Sequence, residues 1–206
     1  MTINNTIELM APAGNFESLQ AALDNGADSI YFGVEQLNMR ARSTVNFTID
    51  DLQEIANRCE TKNVRSYLTL NTIIYDHDLS VVKTLLNKAK DANITAVIAS
   101  DQAVIAMART IGMEVHISTQ LNVTNIETIK FYSLFADTMV LSRELSLRQV
   151  KSITEQIEKE QIKGPNGNLV EIEIFGHGAL CMAVSGKCYL SLHSHNSSAN
   201  RGACKQ

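Results

Sequence analysis

The stretch ITAVIASDQAVIAMARTIGMEVHISTQ, residues 94–120, decides the fold. A short apolar run at 96–99 precedes a segment at 102–111 whose apolar residues recur at helical spacing, and a second apolar run occupies 114–118. This order predicts two parallel strands joined by a helix in a right-handed crossover. Because parallel strands end at the same edge of a sheet, the polar residues that follow each run should lie close together.

The same alternation extends in both directions along the chain. We predict strands at 7–10, 29–34, 65–70, 138–141 and 169–175, and helices at 16–25, 49–61, 79–92, 126–135 and 147–159. Seven strand–helix units without a dinucleotide-binding glycine fingerprint favour a barrel over a doubly wound sheet. The sequence therefore predicts the α/β class, with a TIM-barrel-like parallel (β/α) barrel.

The end of the chain lacks a recognisable eighth strand, because the residues after Cys188 are small and polar. We therefore expect an incomplete barrel in residues 1–176, followed by a cysteine-containing loop segment in 177–206 that continues into a C-terminal region. Two unpaired strand edges would favour self-association. Residues 189–206 would then lack the partners that normally order them.

The composition and net charge of the chain limit the classes of function that it can have. The chain has 206 residues, 45% apolar and 19% charged, which is ordinary for a globular protein, and its net charge of −4 argues against strong non-specific attraction to nucleic acid. No apolar run approaches the roughly 18 residues that a membrane helix needs. The N-terminus lacks a signal-peptide pattern, so we expect a cytoplasmic protein whose four cysteines are thiols or metal ligands.

Polar side chains follow the predicted strands, where barrels of this kind carry their chemistry. The candidates for substrate binding are Arg40, Arg42, Asn71, Gln120 and Asn122, and Arg143 joins them after the sixth strand. Arginine, amide and hydroxyl groups together suit a carboxylate-bearing ligand. Three further polar residues precede helices and can equally serve as helix N-caps, so both interpretations stay open for Asn15, Asp101 and Asn125.

The stretch EIFGHGALCMAVSGKC, residues 173–188, brings two thiols and an imidazole into one glycine-rich segment. Cys181 and Cys188 are spaced too widely for an ordinary zinc motif, and with Cys204 they make three of the four thiolates that an iron–sulfur cluster usually requires. Cys181 could instead act as a nucleophile with His177 as its base. A loop that merely contains cysteine is the third alternative, whereas Cys59 lies on a helical pattern and should be buried.

The same stretch resembles a specific family signature. Residues 173–191, with the spacing E-x-F-x-x-G-A-L-C followed by G-x-C-x-L-S, are similar to the signature of the collagenase-like peptidase family of unknown catalytic type. The motifs ELMAPAGN, GADSIYFGV, NFT, LNT, STQLNVTN, VLSRELSL and NRGAC resemble that family in the expected order. The resemblance covers essentially the whole chain.

This resemblance implies chemistry beyond the family's protease name. Its better-characterised branches are similar to oxygen-independent hydroxylases that act on a tRNA wobble uridine, a ribosomal RNA cytidine or a ubiquinone precursor, with prephenate as the hydroxyl source. Several carry a 4Fe–4S cluster on four cysteines. By position, Cys181, Cys188 and Cys204 match three of these metal ligands, and the fourth would lie downstream.

The leading hypothesis is therefore an RNA hydroxylase that modifies a tRNA uridine, using prephenate and a 4Fe–4S cluster in the full-length protein. We assign catalytic roles to His177, Glu173 and Arg143. Its partners would be tRNA or another RNA and a small dicarboxylate, with no membrane. The alternatives are a peptidase that uses Cys181 or a metal, and a non-catalytic subunit that works with a paralogous partner.

Overall fold

The structure, a computed structural model, describes residues 7–34, 37–38, 47–178 and 181–204. These residues form one sheet of seven parallel strands that follow one another in chain order. The strands are β1 (Met10–Ala13), β2 (Ser29–Phe32), β3 (Arg65–Leu70), β4 (Ala96–Ala99), β5 (Glu114–Ile117), β6 (Thr138–Val140) and β7 (Glu171–Glu173). The incomplete TIM-barrel-like fold is confirmed, with β1 and β7 as the edge strands of the described sheet.

Six helices follow the strands as the hydrophobic spacing predicts. They are α1 (Phe16–Asp24), α2 (Leu52–Thr61), α3 (Leu79–Asp91), α4 (Gln102–Thr110), α5 (Ile126–Tyr132) and α6 (Leu147–Glu160). A short seventh helix, α7 (Leu190–His195), was not predicted and lies in the segment that was expected to be a loop. Within the described ranges, no helix is long and apolar enough to cross a membrane.

The first strand lies three residues later than predicted. The apolar run at 7–10 suggested a strand, but Ile7 and Leu9 are exposed and the strand begins only at Met10. Pro12 made the following segment look like a loop, because proline cannot donate to a strand ladder. It is tolerated here because β1 is an edge strand of the sheet that the described residues form.

Helix capping resolves one ambiguity of the sequence. Asn15 Oδ1 accepts from the backbone N–H of Ser18 at 2.8 Å, and Asp101 Oδ1 accepts from that of Ala103 at 2.8 Å. Asn125 Oδ1 accepts from the N–H of Thr128 at 3.0 Å. All three residues are therefore helix N-caps.

Successive residues of a strand point to opposite faces of the sheet, so the apolar residues form two cores, one on each face. One face of the sheet packs against the helices and carries residues such as Leu68, Leu70 and Ile117. The opposite face, which we call the barrel interior, carries a smaller cluster of Tyr31, Tyr67, Ala96, Ile98 and Met10. The outer core also contains Cys59, as predicted, and burial raises the pKa of its thiol to about 11. That thiol is therefore protonated and inert at neutral pH.

The segment after β7 folds back over the loops at the carboxyl end of the sheet. Arg201 Nη1 donates to the carbonyl of Ile73 at 2.5 Å and to Asp78 Oδ2 at 2.7 Å, and the guanidinium lies 4.8 Å from the centre of the Tyr75 ring. The N–H of Ile73 donates to the carbonyl of Asn200 at 3.1 Å. The expectation that this segment lacks partners is thus wrong for its described part, 189–204. The division of the chain at 176 stays a prediction.

Candidate functional site

A pocket of about 310 Å³ opens at the carboxyl ends of β3, β4 and β5. Amide and hydroxyl side chains dominate its wall, which consists of Asn71, Thr72, Ile73, Ser100, Asp101, Gln102, Gln120, Leu121, Gly186 and Asn200. The first eight follow the three strands, seven of them before the next α-helix and Gln102 as the first residue of α4. The last two come from the segment after β7, which therefore completes the pocket.

Internal hydrogen bonds orient part of this wall. Asn71 Nδ2 donates to the hydroxyl of Ser118 at 3.2 Å, which joins the loops after β3 and β5. Asp101 is used by the fold, since one carboxylate oxygen caps α4 and the other accepts from the N–H of Ile74 at 3.1 Å. Thr72 is 1% exposed, and its hydroxyl has no partner within the described residues. A ligand in the pocket thus meets an Asn71 amide that is oriented by Ser118, next to the buried hydroxyl of Thr72.

The turn between the two cysteines of the signature is held by the barrel loops. The backbone N–H and the hydroxyl of Ser185 both donate to Glu144 Oε1, at 2.8 and 3.2 Å. Asn122 Nδ2 donates to the carbonyl of Ser185 at 2.9 Å. The loops after β5 and β6 therefore hold this turn from two sides.

The position after Ser185 in this turn, Gly186, requires glycine. Gly186 has φ +72, and a Cβ there would lie 1.9 Å from the carbonyl oxygen of Gln120. Any other residue would push the turn away from the loop after β5. Asn122 supports the same contact from a left-handed backbone with φ 52, a conformation that asparagine adopts more readily than most residues. Close backbone contact thus seals one side of the pocket.

Glu144 is ionised in this arrangement. Its limited burial favours the neutral form, but hydrogen bonds from Ser142 and Ser185 outweigh that effect and hold the pKa of the carboxyl below its usual value. A charged acceptor makes the hydrogen bonds to Ser185 stronger than neutral ones would be.

Glu173 lies in the barrel interior rather than in the pocket. Its Oε2 is 4.0 Å from His116 Nδ1, and His116 Nε2 is 3.1 Å from Glu114 Oε1. Burial raises the pKa of the Glu173 carboxyl, and the nearby His116 offsets only part of that rise. His177, four residues farther on, is exposed.

The three signature cysteines are thiols that lie in the segment after β7. Cys181 is exposed, and Cys188 and Cys204 are partly buried. Across the described ranges, no three histidine, cysteine or acidic side chains come together as ligands of a metal ion. The arrangement of these thiols therefore does not fit a cluster site as it stands.

The model of Peptidase family U32 matches residues 14–206. A collagenase of Porphyromonas gingivalis is 59% identical over 98% of this chain and 49% of its own length. The chain belongs to peptidase family U32.

Two further comparisons bear on its relatives and fold. The tRNA hydroxylation protein P1 of Bacillus subtilis is 33% identical over 97% of this chain and 45% of its own length. A solved U32 peptidase structure superposes with a TM-score of 0.63 at 14% identity, covering 84% of this chain and 69% of that one, which shows the shared fold. The chain spans about half the length of the two curated relatives.

The structure brings together only part of the predicted site of this U32 chain. Asn71 and Gln120 line the pocket, and Asn122 supports its wall. Arg143 is exposed and is not part of the wall as described. Arg40 and Arg42 lie outside the described residues. The catalytic and binding roles of all these residues stay predictions.

Sequence reasoning missed the contribution of Gly186 and Asn200 to the pocket. The glycine signals a turn, but nothing in the local sequence shows which loop the turn contacts. It also missed the contacts of His116 with Glu114 and Glu173, although Glu114 and His116 lie two residues apart on β5 and therefore share the inner face. Two polar residues at that spacing in an otherwise apolar strand are the available signal.

Proposed function

We propose that this chain forms the substrate-binding mouth of an RNA-hydroxylating enzyme that acts on a tRNA uridine. The observation that carries the proposal is the amide-lined pocket. Asn71, Gln102, Gln120 and Asn200 each offer a donor and an acceptor, as the edge of a pyrimidine base requires. A volume of about 310 Å³ is at the lower end of small-molecule sites and accommodates one base.

The pocket also suits the way in which enzymes reach a base. An enzyme that modifies a nucleobase takes it out of the stack and holds it by hydrogen bonds to its edge. Single-stranded tRNA loops present such bases readily. The net charge of −4 offers little general attraction to RNA, so we expect the longer protein to supply a basic surface elsewhere. The similarity to a tRNA hydroxylation protein of Bacillus subtilis supports this proposal.

Prephenate is the proposed hydroxyl source, and its binding requires groups other than those that would bind a base. A dicarboxylate calls for cationic partners, yet the wall as described contains Asp101 and neither lysine nor arginine. Arg201 lies nearby but is engaged by Asp78 and Ile73. Binding of prephenate would therefore depend on Arg40, Arg42 or Arg143.

A 4Fe–4S cluster on Cys181, Cys188 and Cys204, with a fourth ligand from downstream, is also part of the proposal for the longer protein. The present placement of the three thiols does not fit such a cluster, so they would have to approach one another when it binds. Recognition of a base by the pocket does not depend on that step.

A peptidase is the second candidate, because the collagenase relative is 59% identical and Cys181 is exposed. A thiol nucleophile must be accessible to its substrate, which Cys181 satisfies. An extended peptide, however, needs a long groove with edge hydrogen bonds, whereas this pocket of about 310 Å³ is closed on one side by Gly186. The geometry therefore favours the hydroxylase over the peptidase.

The test is complementation. The longer protein is expressed in a bacterium that lacks its own tRNA hydroxylation proteins, and tRNA nucleosides are analysed by mass spectrometry. We expect hydroxylated uridine to appear, and Gln120→Ala to reduce it at least tenfold. Gln53→Ala, on the exposed face of α2, is the matched control and should have no effect.

The same preparation is assayed for cleavage of gelatin and casein. Cleavage that disappears in Cys181→Ala, together with unmodified tRNA, would show the peptidase to be the correct candidate.

A further inference from the structure

The loop after β3 and the end of the segment after β7 meet at one side of the pocket. Ile73 and Asn200 both line the pocket, and the N–H of Ile73 donates to the carbonyl of Asn200 at 3.1 Å. This contact uses the backbone of Asn200 and leaves its side-chain amide for a ligand. The placement of that amide therefore depends on what holds the backbone of Asn200 against Ile73.

The turn that contains Asn200 is closed by its own hydrogen bonds. Asn200 is the central residue of a one-turn 3-10 helix, Ala199–Arg201. The N–H of Ala203 donates to the carbonyl of Ser198 at 3.1 Å, and the hydroxyl of Ser197 donates to the carbonyl of Ala203 at 2.8 Å. Because these bonds close the turn on itself, a contact that fixes Arg201 also fixes Asn200.

Arg201 fastens this turn to the loop after β3. Its Nη1 donates to the carbonyl of Ile73 at 2.5 Å and to Asp78 Oδ2 at 2.7 Å, and its guanidinium lies 4.8 Å from the centre of the Tyr75 ring. The backbone of Ile73 is thus bound on both sides, through its N–H by Asn200 and through its carbonyl by Arg201. Arginine suits this place because its planar group can donate hydrogen bonds while it packs on an aromatic ring.

Asp78 is a fixed anchor for Arg201. The side chains of Arg201 and Asp78 are only 29% and 12% exposed, so solvent screens this ion pair less than it screens a surface pair. The hydrogen bond from Arg201 lowers the pKa of Asp78, although burial opposes the shift, and both groups are therefore charged at neutral pH. Asp78 Oδ2 also accepts from the N–H of Tyr75 at 2.9 Å, which orients the carboxylate.

We propose that Arg201 is a positioning residue, which holds the Asn200 amide in the pocket wall so that Asn200 contacts the ligand. The inference rests on the proposed function in taking that ligand to be a tRNA base. Arg201 is not part of the wall as described, so it acts through Asn200. Gln102 and Gln120 follow β4 and β5 and would stay in place without Arg201, so its loss should remove recognition on one side of the pocket only.

The placement of Asn200 is tested first, in the 206-residue chain, by amide hydrogen exchange followed by NMR. Arg201→Leu should accelerate exchange at Ile73 at least tenfold, because its N–H loses the Asn200 carbonyl, while amides of β3 stay protected. Asp78→Asn keeps the shape of the side chain but removes its charge, and should accelerate the same amide to a smaller extent. Arg148→Leu, at an exposed position on α6, is the matched control and should change nothing.

The role in recognition is tested in the longer protein by a double-mutant cycle on kcat/KM for tRNA hydroxylation. We expect Asn200→Ala and Arg201→Leu each to lower kcat/KM at least tenfold. The double variant should be no worse than Asn200→Ala alone, because the amide through which Arg201 acts is already gone. A residue that merely stabilised the fold would instead lower kcat/KM by the same factor in both backgrounds.

Three results would overturn the inference: unchanged exchange at Ile73 in Arg201→Leu, faster exchange throughout the sheet in that variant, or losses that multiply in the double variant. A longer protein that does not hydroxylate tRNA contradicts the proposed function instead. Exchange at Ile73 still decides in that case whether Arg201 places Asn200, because that measurement requires no activity.

Discussion

Glu144 Oε1 accepts two hydrogen bonds from Ser185, one from the backbone N–H at 2.8 Å and one from the hydroxyl at 3.2 Å. The two residues are 41 positions apart in the chain. Their contact fixes the turn that precedes Cys188 against the loop after β6. Because Gly186 in that turn lines the pocket, the contact also sets the shape of the candidate site.

Replacing Glu144 should loosen this turn. Glu144→Ala removes the acceptor for the N–H of Ser185, and we expect a loss of about 1–3 kcal/mol in the stability of the turn. Hydrogen exchange at the Ser185 amide should accelerate accordingly, while amides of β3 and β4 stay protected. Glu158→Ala on the exposed face of α6 is the control. Unchanged exchange at Ser185 would mean that the turn is held by other contacts.

Gly186→Ala should be clearly more destabilising than Gly167→Ala. Both glycines have positive φ, +72 and +80, so both variants carry the same backbone strain of about 1–2 kcal/mol. Only at Gly186 would the added Cβ meet a backbone atom, whereas Gly167 faces open space. Urea unfolding of the two variants isolates the contact with Gln120. Equal losses would contradict the close approach of the two loops.

Arg201→Leu should release the segment after β7 without unfolding the barrel. It removes the hydrogen bonds to Ile73 and Asp78 and the contact with Tyr75. We expect faster hydrogen exchange in 189–204 and no change in β2–β5. Arg148→Leu, at an exposed position, serves as control. Loss of protection throughout the sheet would show that the segment is integral to the core.

The Arg201 pair also predicts a pH effect. The hydrogen bond from Arg201 lowers the pKa of Asp78 in the folded state, although burial opposes the shift. A depressed folded-state pKa contributes stability that is present above the unfolded value of about 3.9 and is lost as pH falls through the folded value. In Arg201→Leu, this part of the acid-induced loss should be smaller, which unfolding curves between about pH 2 and 5 would measure.

Glu173 predicts a pH effect of the opposite sign. Burial raises the pKa of its carboxyl in the folded state, so the folded chain favours the protonated form. The stability from this group is present below the unfolded value of about 4.3 and is lost as pH rises through the folded value. Glu173→Gln should therefore be more stable than the unaltered chain at pH 7, and Glu171→Gln should not. Unfolding curves at pH 4 and 7 test the difference.

Iron binding tests the cysteine assignment. The 206-residue chain contributes three candidate thiols, Cys181, Cys188 and Cys204, and they are not grouped as metal ligands in the described structure. We expect anaerobic reconstitution to give well below one 4Fe–4S cluster per chain by iron and sulfide analysis. About four irons per chain, lost in Cys188→Ser but kept in Cys59→Ser, would show that the segment rearranges and finds its fourth ligand elsewhere.

The sequence alone determined the sheet and its order. Short apolar runs that alternate with segments of helical spacing predict a parallel sheet with right-handed crossovers. Residues 65–70 and 96–99 form strands with the predicted bounds. The burial of Cys59 also follows from its place on a helical pattern. The cap roles of Asn15, Asp101 and Asn125 stayed open in the sequence and were decided by the structure. The error at β1 arose because the tolerance for Pro12 depends on the strand's position at the edge, which local sequence does not specify.

Tertiary structure alone decided where the polar groups meet. Glu144 and Ser185, and His116 and Glu173, are far apart in sequence, and each pair depends on how distant strands and loops are brought together. Residue type shows that a carboxylate can accept a hydrogen bond, but not which donor it reaches. Periodicity is a property of neighbouring residues and can be read locally, whereas a pocket is a property of distances between loops that only the folded chain establishes.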